Sequence, residues 1–198
     1  MPDRDVETIR DLIFYQYAKI MARRAFAAAD GKAAKKQHYG FIKKTFRELK
    51  SGVKSWSEIT REDWQFVEAE KRCIYCSSEA DLNREHIVPK SLAIRPECGT
   101  CDVIQGIHNQ IWACGGCNSL KGTKGLYEFY RAKYPGERKF YDLIPPLLEK
   151  KYLKTVINCH QCAQTLDAGG KVPRLVPKGQ ARDPSALGLP DTPRSARH

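Results

Sequence analysis

Apolar residues recur at helical spacing along the first fifty positions. Val6, Ile9, Ile13, Tyr17 and Ile20 fall three or four apart, which predicts a helix over residues 4–29 with one buried face, ended by Gly31. Tyr39, Ile42, Phe46 and Leu49 form a second stripe and predict a helix over 33–50, with Lys35, Lys36, Lys43, Lys44, Arg47 and Lys50 largely off it. SGVKSW breaks the pattern. Thr60, with Asp63 three residues on, then opens a helix over about 61–71 that turns Trp64 and Val67 inward. Next the period changes. LNREHIVP (82–89) alternates and is rich in β formers until Pro89, so Glu85 and His86 fall at a strand end. NQIWA (109–113) predicts a second strand leading into a short helix through CGGCNSLKG (114–122). LYEFYRAKY (126–134) reads as a helix stopped by Pro135 and Gly136, and Leu147, Leu148, Tyr152 and Val156 mark the buried side of another over 146–156. From Gly169 onward Gly, Pro, Ser and Arg dominate, which predicts a disordered tail.

The cysteines change the picture. All eight fall into four C-x-x-C pairs, and two of these, Cys73/Cys76 and Cys114/Cys117, bracket the strand–strand–helix stretch. Two such knuckles supply the four sulfurs that a tetrahedral structural zinc takes, and Gly115 and Gly116 let the second knuckle turn back toward the metal. A redox dithiol would instead sit at a helix start in a thioredoxin-like βαβ setting, which neither pair has. Zinc at these four sulfurs ties the first strand to the helix carrying Asn118, so the unit is able to gather Glu85, His86, Asn109 and Asn118. The other pairs, Cys98/Cys101 in the insertion SLAIRPECGTCDVIQGI and Cys159/Cys162 in NCHQC, suggest a second zinc, with two independent reduced pairs as the alternative.

A formal net charge of +11 and a pI near 9.3 point to a polyanionic partner, nucleic acid before membrane. The tail over 169–198 carries six Lys and Arg against two Asp, which accounts for +4 and leaves +7 on the rest of the chain. In the second helix no aromatics interleave with the lysines as on a single-strand stacking platform, so duplex phosphate contact is expected there. No run has the apolar length of a spanning helix, and MPDRDVETIR lacks the apolar stretch of a signal peptide. Paired cysteines used for metal imply a reducing compartment, and the expected location is the cytoplasm.

Over about fifty residues the chain resembles the HNH nucleases with a ββα-metal core. Their pattern is C-x-x-C, an acidic residue before His, Ile-x-Pro, then Asn five residues ahead of C-x-x-C-N-x-x-K. Here it reads CIYC, EHIVP, Asn109 and CGGCNSLK. The resemblance implies His86 as the general base that deprotonates water, Asn109 as the residue orienting its imidazole, and Glu85 with Asn118 as ligands of one divalent cation. Oxygen donors favour Mg²⁺ or Mn²⁺ there. Arg84, Lys90 and Lys121 are placed by proximity as phosphate contacts, and His108 has no assigned role. Two positions depart from the commoner pattern: Glu85 stands where Asp is usual, and Asn118 where the name-giving motif has His.

The expected fold is α+β, a mostly helical single domain around a zinc-stabilised ββα-metal core. Its parts are an N-terminal helical region (1–58), the core (59–125), C-terminal helices with a C-x-x-C segment (126–168) and a basic tail (169–198). The expected function is metal-dependent hydrolysis of DNA phosphodiesters. A non-catalytic zinc module that binds nucleic acid, and a redox protein, are the competing readings.

Overall fold

A computed structural model describes residues 5–27, 31–55, 71–92 and 102–167, and all structural statements below concern these. The helix expected over 61–71, Cys98 and Cys101, and the basic tail lie outside the described residues.

Helix α1 spans Ile9–Ala25 and begins later than the apolar stripe suggests, because Thr8 caps it. The Thr8 hydroxyl accepts from Asp11 N at 3.1 Å while Asp11 Oδ2 accepts from Thr8 N at 3.2 Å, a reciprocal pair that satisfies two amides at the exposed helix start. Lys50 Nζ reaches the same carboxylate at 3.0 Å and so ties the end of α2 (Gly31–Lys50) to the start of α1. Thr8→Ala is expected to cost about 1 kcal/mol in a urea titration.

Helix α1 is buried on more than one face. Beyond the expected stripe, Leu12, Phe14, Tyr15, Gln16, Ala18 and Ala22 are also buried. The reason is its place: it lies between α2 and α6 (Pro146–Cys162) and packs on both. In α2, Ile42, Phe46 and Leu49 face α1 as expected, but Tyr39 is exposed with Lys43 Nζ 5.0 Å from its ring centroid. Gly31, expected to end the first helix, opens the second instead, at φ +97°.

The sheet has two strands. β1 (Leu82–His86) pairs antiparallel with β2 (Gln110–Cys114), with Arg84 opposite Trp112 and His86 opposite Gln110. A single helical turn, α3 (Asp102–Gln105), and a 3₁₀ turn over Ile107–Asn109 precede β2, and neither was visible in the hydrophobic pattern. β2 runs directly into α4 (Gly115–Lys121), which packs on both strands. Gly115 is required by close approach, since a Cβ there would stand 2.2 Å from Asp81 Oδ2; Gly116 meets nothing within 4 Å. Helix α5 (Leu126–Lys133) follows, then a 3₁₀ turn over Phe140–Leu143 and α6. The architecture is therefore α+β, dominated by helices.

One apolar cluster draws on α1, α2, the hairpin, α5 and α6. Within it a charged group is buried: Glu149, 1% exposed, accepts from Tyr127 Oη at 2.7 Å and pairs with Arg23 Nη2. Burial pushes the Glu149 carboxyl up, and Arg23 and Tyr127 oppose it. Helix α6 runs six residues past its expected end, to Cys162; Leu148, Tyr152 and Val156 are buried as expected, and Leu147 is half-buried.

Candidate metal centre and the strand end beside it

Four sulfurs meet at one point. The thiols of Cys73, Cys76, Cys114 and Cys117 lie within 4.8 Å of one another, and Cys76 Sγ is 3.6 Å from Cys114 Sγ. A tetrahedral zinc with bonds of about 2.3 Å separates its sulfurs by about 3.8 Å, so the cluster is able to hold a metal such as zinc. Local backbone bonds shape the first knuckle: Ser77 N donates to Cys73 O at 2.7 Å and Cys73 N to Ser78 O at 2.8 Å. Ile74 N donates to Trp112 O at 3.0 Å, which lays the knuckle beside β2. Burial would raise the Cys73 thiol, yet N–H groups of Cys114, Tyr75 and Cys76 outweigh it and hold it at about 7. Cys117 is pushed up to about 12, first by burial and then by its sulfur neighbours. Lys133 Nζ, bonded to Tyr75 O at 2.7 Å, stands 3.6 Å from Cys117 Sγ and offsets thiolate charge. The described cysteines form no disulfide.

Strand alternation then separates two neighbours in sequence. The register puts Arg84 and His86 on the sheet face shared with Trp112 and Gln110, and Glu85 on the face shared with Ile111. Ile111 and Glu85 are 3% and 5% exposed, so that second face is the inner one. Glu85 and His86 are therefore directed to opposite sides of the hairpin, not into one pocket.

On the inner side, Glu85 is already satisfied. Oε2 accepts from Tyr75 Oη at 2.7 Å, and Oε1 pairs with Lys121 Nζ at 2.5 Å. Lys121 is 0% exposed and also donates to His86 O at 3.0 Å. Burial pushes the Glu85 carboxyl up, while Lys121 and Tyr75 pull it back. Lys121, expected against a phosphate, is thus an internal counter-cation. The divalent ion implied at Glu85 and Asn118 does not fit this arrangement, because both carboxylate oxygens are engaged and an ammonium already balances the charge. Asn118 is half-buried on α4. Lys121→Met strands a buried carboxylate and is expected to cost about 3–5 kcal/mol by chemical denaturation, most of which the added Glu85→Gln restores.

On the outer side, the His86 imidazole is half-buried at the strand end. The Gln105 side chain hydrogen-bonds its ring. Nε2 is buried and meets no hydrogen-bond partner among the described residues. Burial lowers the imidazole pKa, Lys90 and Lys121 lower it further, and the Gln105 bond only partly opposes them.

Asn109, expected to orient this ring, bonds main chain instead. Its Oδ1 accepts from Val88 N at 2.8 Å, and its Nδ2 donates to Val88 O and Ile104 O, each at 2.9 Å. It staples the chain leaving β1 to α3, the turn that carries Gln105. Gln105 was missed because its role depends on that turn folding over the strand end, and no periodicity announces a four-residue helix. Gly106 ends the turn tightly, since a Cβ there would lie 2.4 Å from Asp102 O.

The remaining candidates are placed as follows. Arg84 is exposed and donates to Gln110 Oε1 at 3.0 Å; Lys90 is exposed in a 3₁₀ turn over Lys90–Leu92. His108 is exposed on the rim of a cleft of about 170 Å³ between α3 and α6. Cys159 is buried and Cys162 exposed at the end of α6. Among the described residues these two join no group of three or more metal-ligating side chains, and their expected partners Cys98 and Cys101 lie outside the description. No described helix is long and apolar enough to cross a membrane. No family model, curated protein or solved structure matches the chain.

Proposed function

We propose that the chain is an endonuclease of the HNH type that hydrolyses phosphodiester bonds in DNA, with His86 as general base and zinc at the four cysteines holding the hairpin together. The observation that carries this reading is the state of His86. The imidazole, its pKa held down, keeps a bare, buried Nε2 at the end of a strand that pairs with the one running into the four-cysteine cluster. A side chain whose pKa is held down stays unprotonated at neutral pH, which is what proton abstraction from water requires.

In the reaction, Nε2 takes the proton as the water oxygen bonds to phosphorus, and the ester oxygen leaves from the opposite side and picks up a proton from solvent water. Lys90, close enough to depress the His86 pKa and itself exposed, supplies positive charge for the phosphate. The resemblance implies Mg²⁺ or Mn²⁺ neutralising the phosphate. Because Glu85 is closed by Lys121 and Tyr75, no step is assigned to that ion.

The engagement of Glu85 favours a second reading, a zinc module that binds nucleic acid without cleaving it. Supercoiled plasmid incubated with the protein in Mg²⁺, Mn²⁺ or EDTA, beside the His86→Ala form, separates the two. Nicked or linear product from the parent but not from His86→Ala, with DNA binding retained, supports the nuclease. No metal-dependent cleavage by either protein, with DNA bound by both, supports the binding module.

A further inference from the structure

We propose that the outer face of the β1–β2 hairpin grips a single-stranded or frayed stretch of polynucleotide, one base stacking on Trp112 and the flanking phosphates meeting Arg84 and Lys71. This rests on the partner being a polynucleotide and not on its hydrolysis.

Strand pairing creates the site. Arg84 lies directly opposite Trp112, and its guanidinium carbon stands 5.3 Å from the indole centroid. Lys71 Nζ, from the segment entering the first knuckle, is also 5.3 Å from that centroid. Gln110 holds the guanidinium in place through the 3.0 Å bond from Arg84 Nη1 to its Oε1. By register this face shows Leu82, Arg84, His86, Gln110, Trp112 and Cys114, none of them a carboxylate. A half-buried indole flanked by two cations is the combination that binds single strands: the aromatic ring accepts any base and the cations track the backbone. Cation–π pairs at an exposed site are weak, so the cations are readily given over to phosphates while the ring turns to a base.

Placement adds function. His86 is on the same face, two residues along β1 from Arg84 and so about 6.6 Å further on. A base held on Trp112 therefore sets the adjoining backbone beside the imidazole. On α2 the cation–aromatic pairs are local, as at Tyr39 and Lys43, whereas here the fold gathers residues as far apart in sequence as Lys71 and Trp112.

The test uses the full chain with Trp56→Phe, Trp64→Phe and His86→Ala, so that Trp112 is the sole fluorophore and nothing is cut. A thymidine 12-mer, an abasic 12-mer and a blunt duplex are titrated in the absence of divalent ions. The thymidine strand is expected to quench Trp112 and to bind most tightly. Read by the anisotropy of a fluorescein-labelled strand, since no tryptophan remains, Trp112→Ala should weaken binding about tenfold or more, with Trp112→Phe retaining most of the affinity. Arg84→Gln and Lys71→Gln should each lower the slope of log K against log salt by about 0.7. Equal binding of the abasic and thymidine strands by the parent, tighter binding of the duplex, or unchanged affinity in Trp112→Ala would each overturn the proposal. If Trp112→Ala does not fold, the abasic comparison on the parent decides. Absence of plasmid cleavage by the wild-type protein would count against the nuclease reading and leave this one standing.

Discussion

Stripping the metal from the four-cysteine cluster is expected to unfold the hairpin and release one equivalent of zinc. A structural zinc contributes about 10–16 kcal/mol of binding free energy at neutral pH, which equals or exceeds the whole stability of an ordinary domain at about 5–15 kcal/mol. The other links are single bonds, such as Tyr75 Oη to Glu85, Lys133 Nζ to Tyr75 O and Gly115 N to Asp81 O, each worth about 0.5–3 kcal/mol. The first knuckle touches β2 through the Ile74–Trp112 main-chain bond, and it touches α5 through Tyr75, whose ring lies 4.7 Å from Phe129. A two-stranded sheet of five residues per strand is marginal by itself. Cys73→Ser and Cys117→Ser should each abolish stoichiometric zinc, and the loss of near-ultraviolet circular dichroism on chelation should match theirs. Protein purified without zinc that melts at the same temperature with and without chelator would instead identify the cysteines as thiols with no structural metal.

Replacing His86 by Ala is expected to lower DNA cleavage by about 10²–10⁴-fold while leaving zinc content and DNA affinity near those of the parent. The side chain projects from the end of β1 and its ring bonds the neutral Gln105 side chain, so its removal leaves no buried charge behind. Gln105→Leu should give a smaller loss, because the ring stays but loses the side-chain bond that orients it. An undiminished rate in His86→Ala would move the activity, if any, to another group.

Much of the scaffold was legible. The C-x-x-C spacing foretold which sulfurs meet, since a knuckle is a local structure and its four ligands need only two turns brought together. The stripes of α2 and α6 likewise marked Ile42, Phe46, Leu148 and Tyr152 for the core. Helix α1 was read as one-sided because periodicity reports the strongest face and is blind to a second neighbour; its burial against both α2 and α6 follows from topology. The site was harder. Glu85 and His86 are adjacent letters, and adjacency in a strand means opposite faces, so Glu85 meets Tyr75 and Lys121 while His86 meets Gln105. A lysine near a nuclease-like motif suggests a phosphate, yet Lys121 lies where α4 packs on β1 and is spent on a buried carboxylate. Arg84 and Trp112 come together only through the antiparallel register.

The dependence of single-turnover cleavage on pH addresses the central assignment most directly. A base whose pKa is depressed is unprotonated over a wider range, so the rate should rise with pH through an inflection below the usual histidine value of about 6.5 and be flat across neutrality. The same depression makes the fold lose stability as pH falls through that window, so each rate is paired with a circular dichroism spectrum. The account predicts this inflection in the parent and its disappearance in His86→Ala. An inflection that survives in His86→Ala, or a rate insensitive to pH throughout, would contradict it.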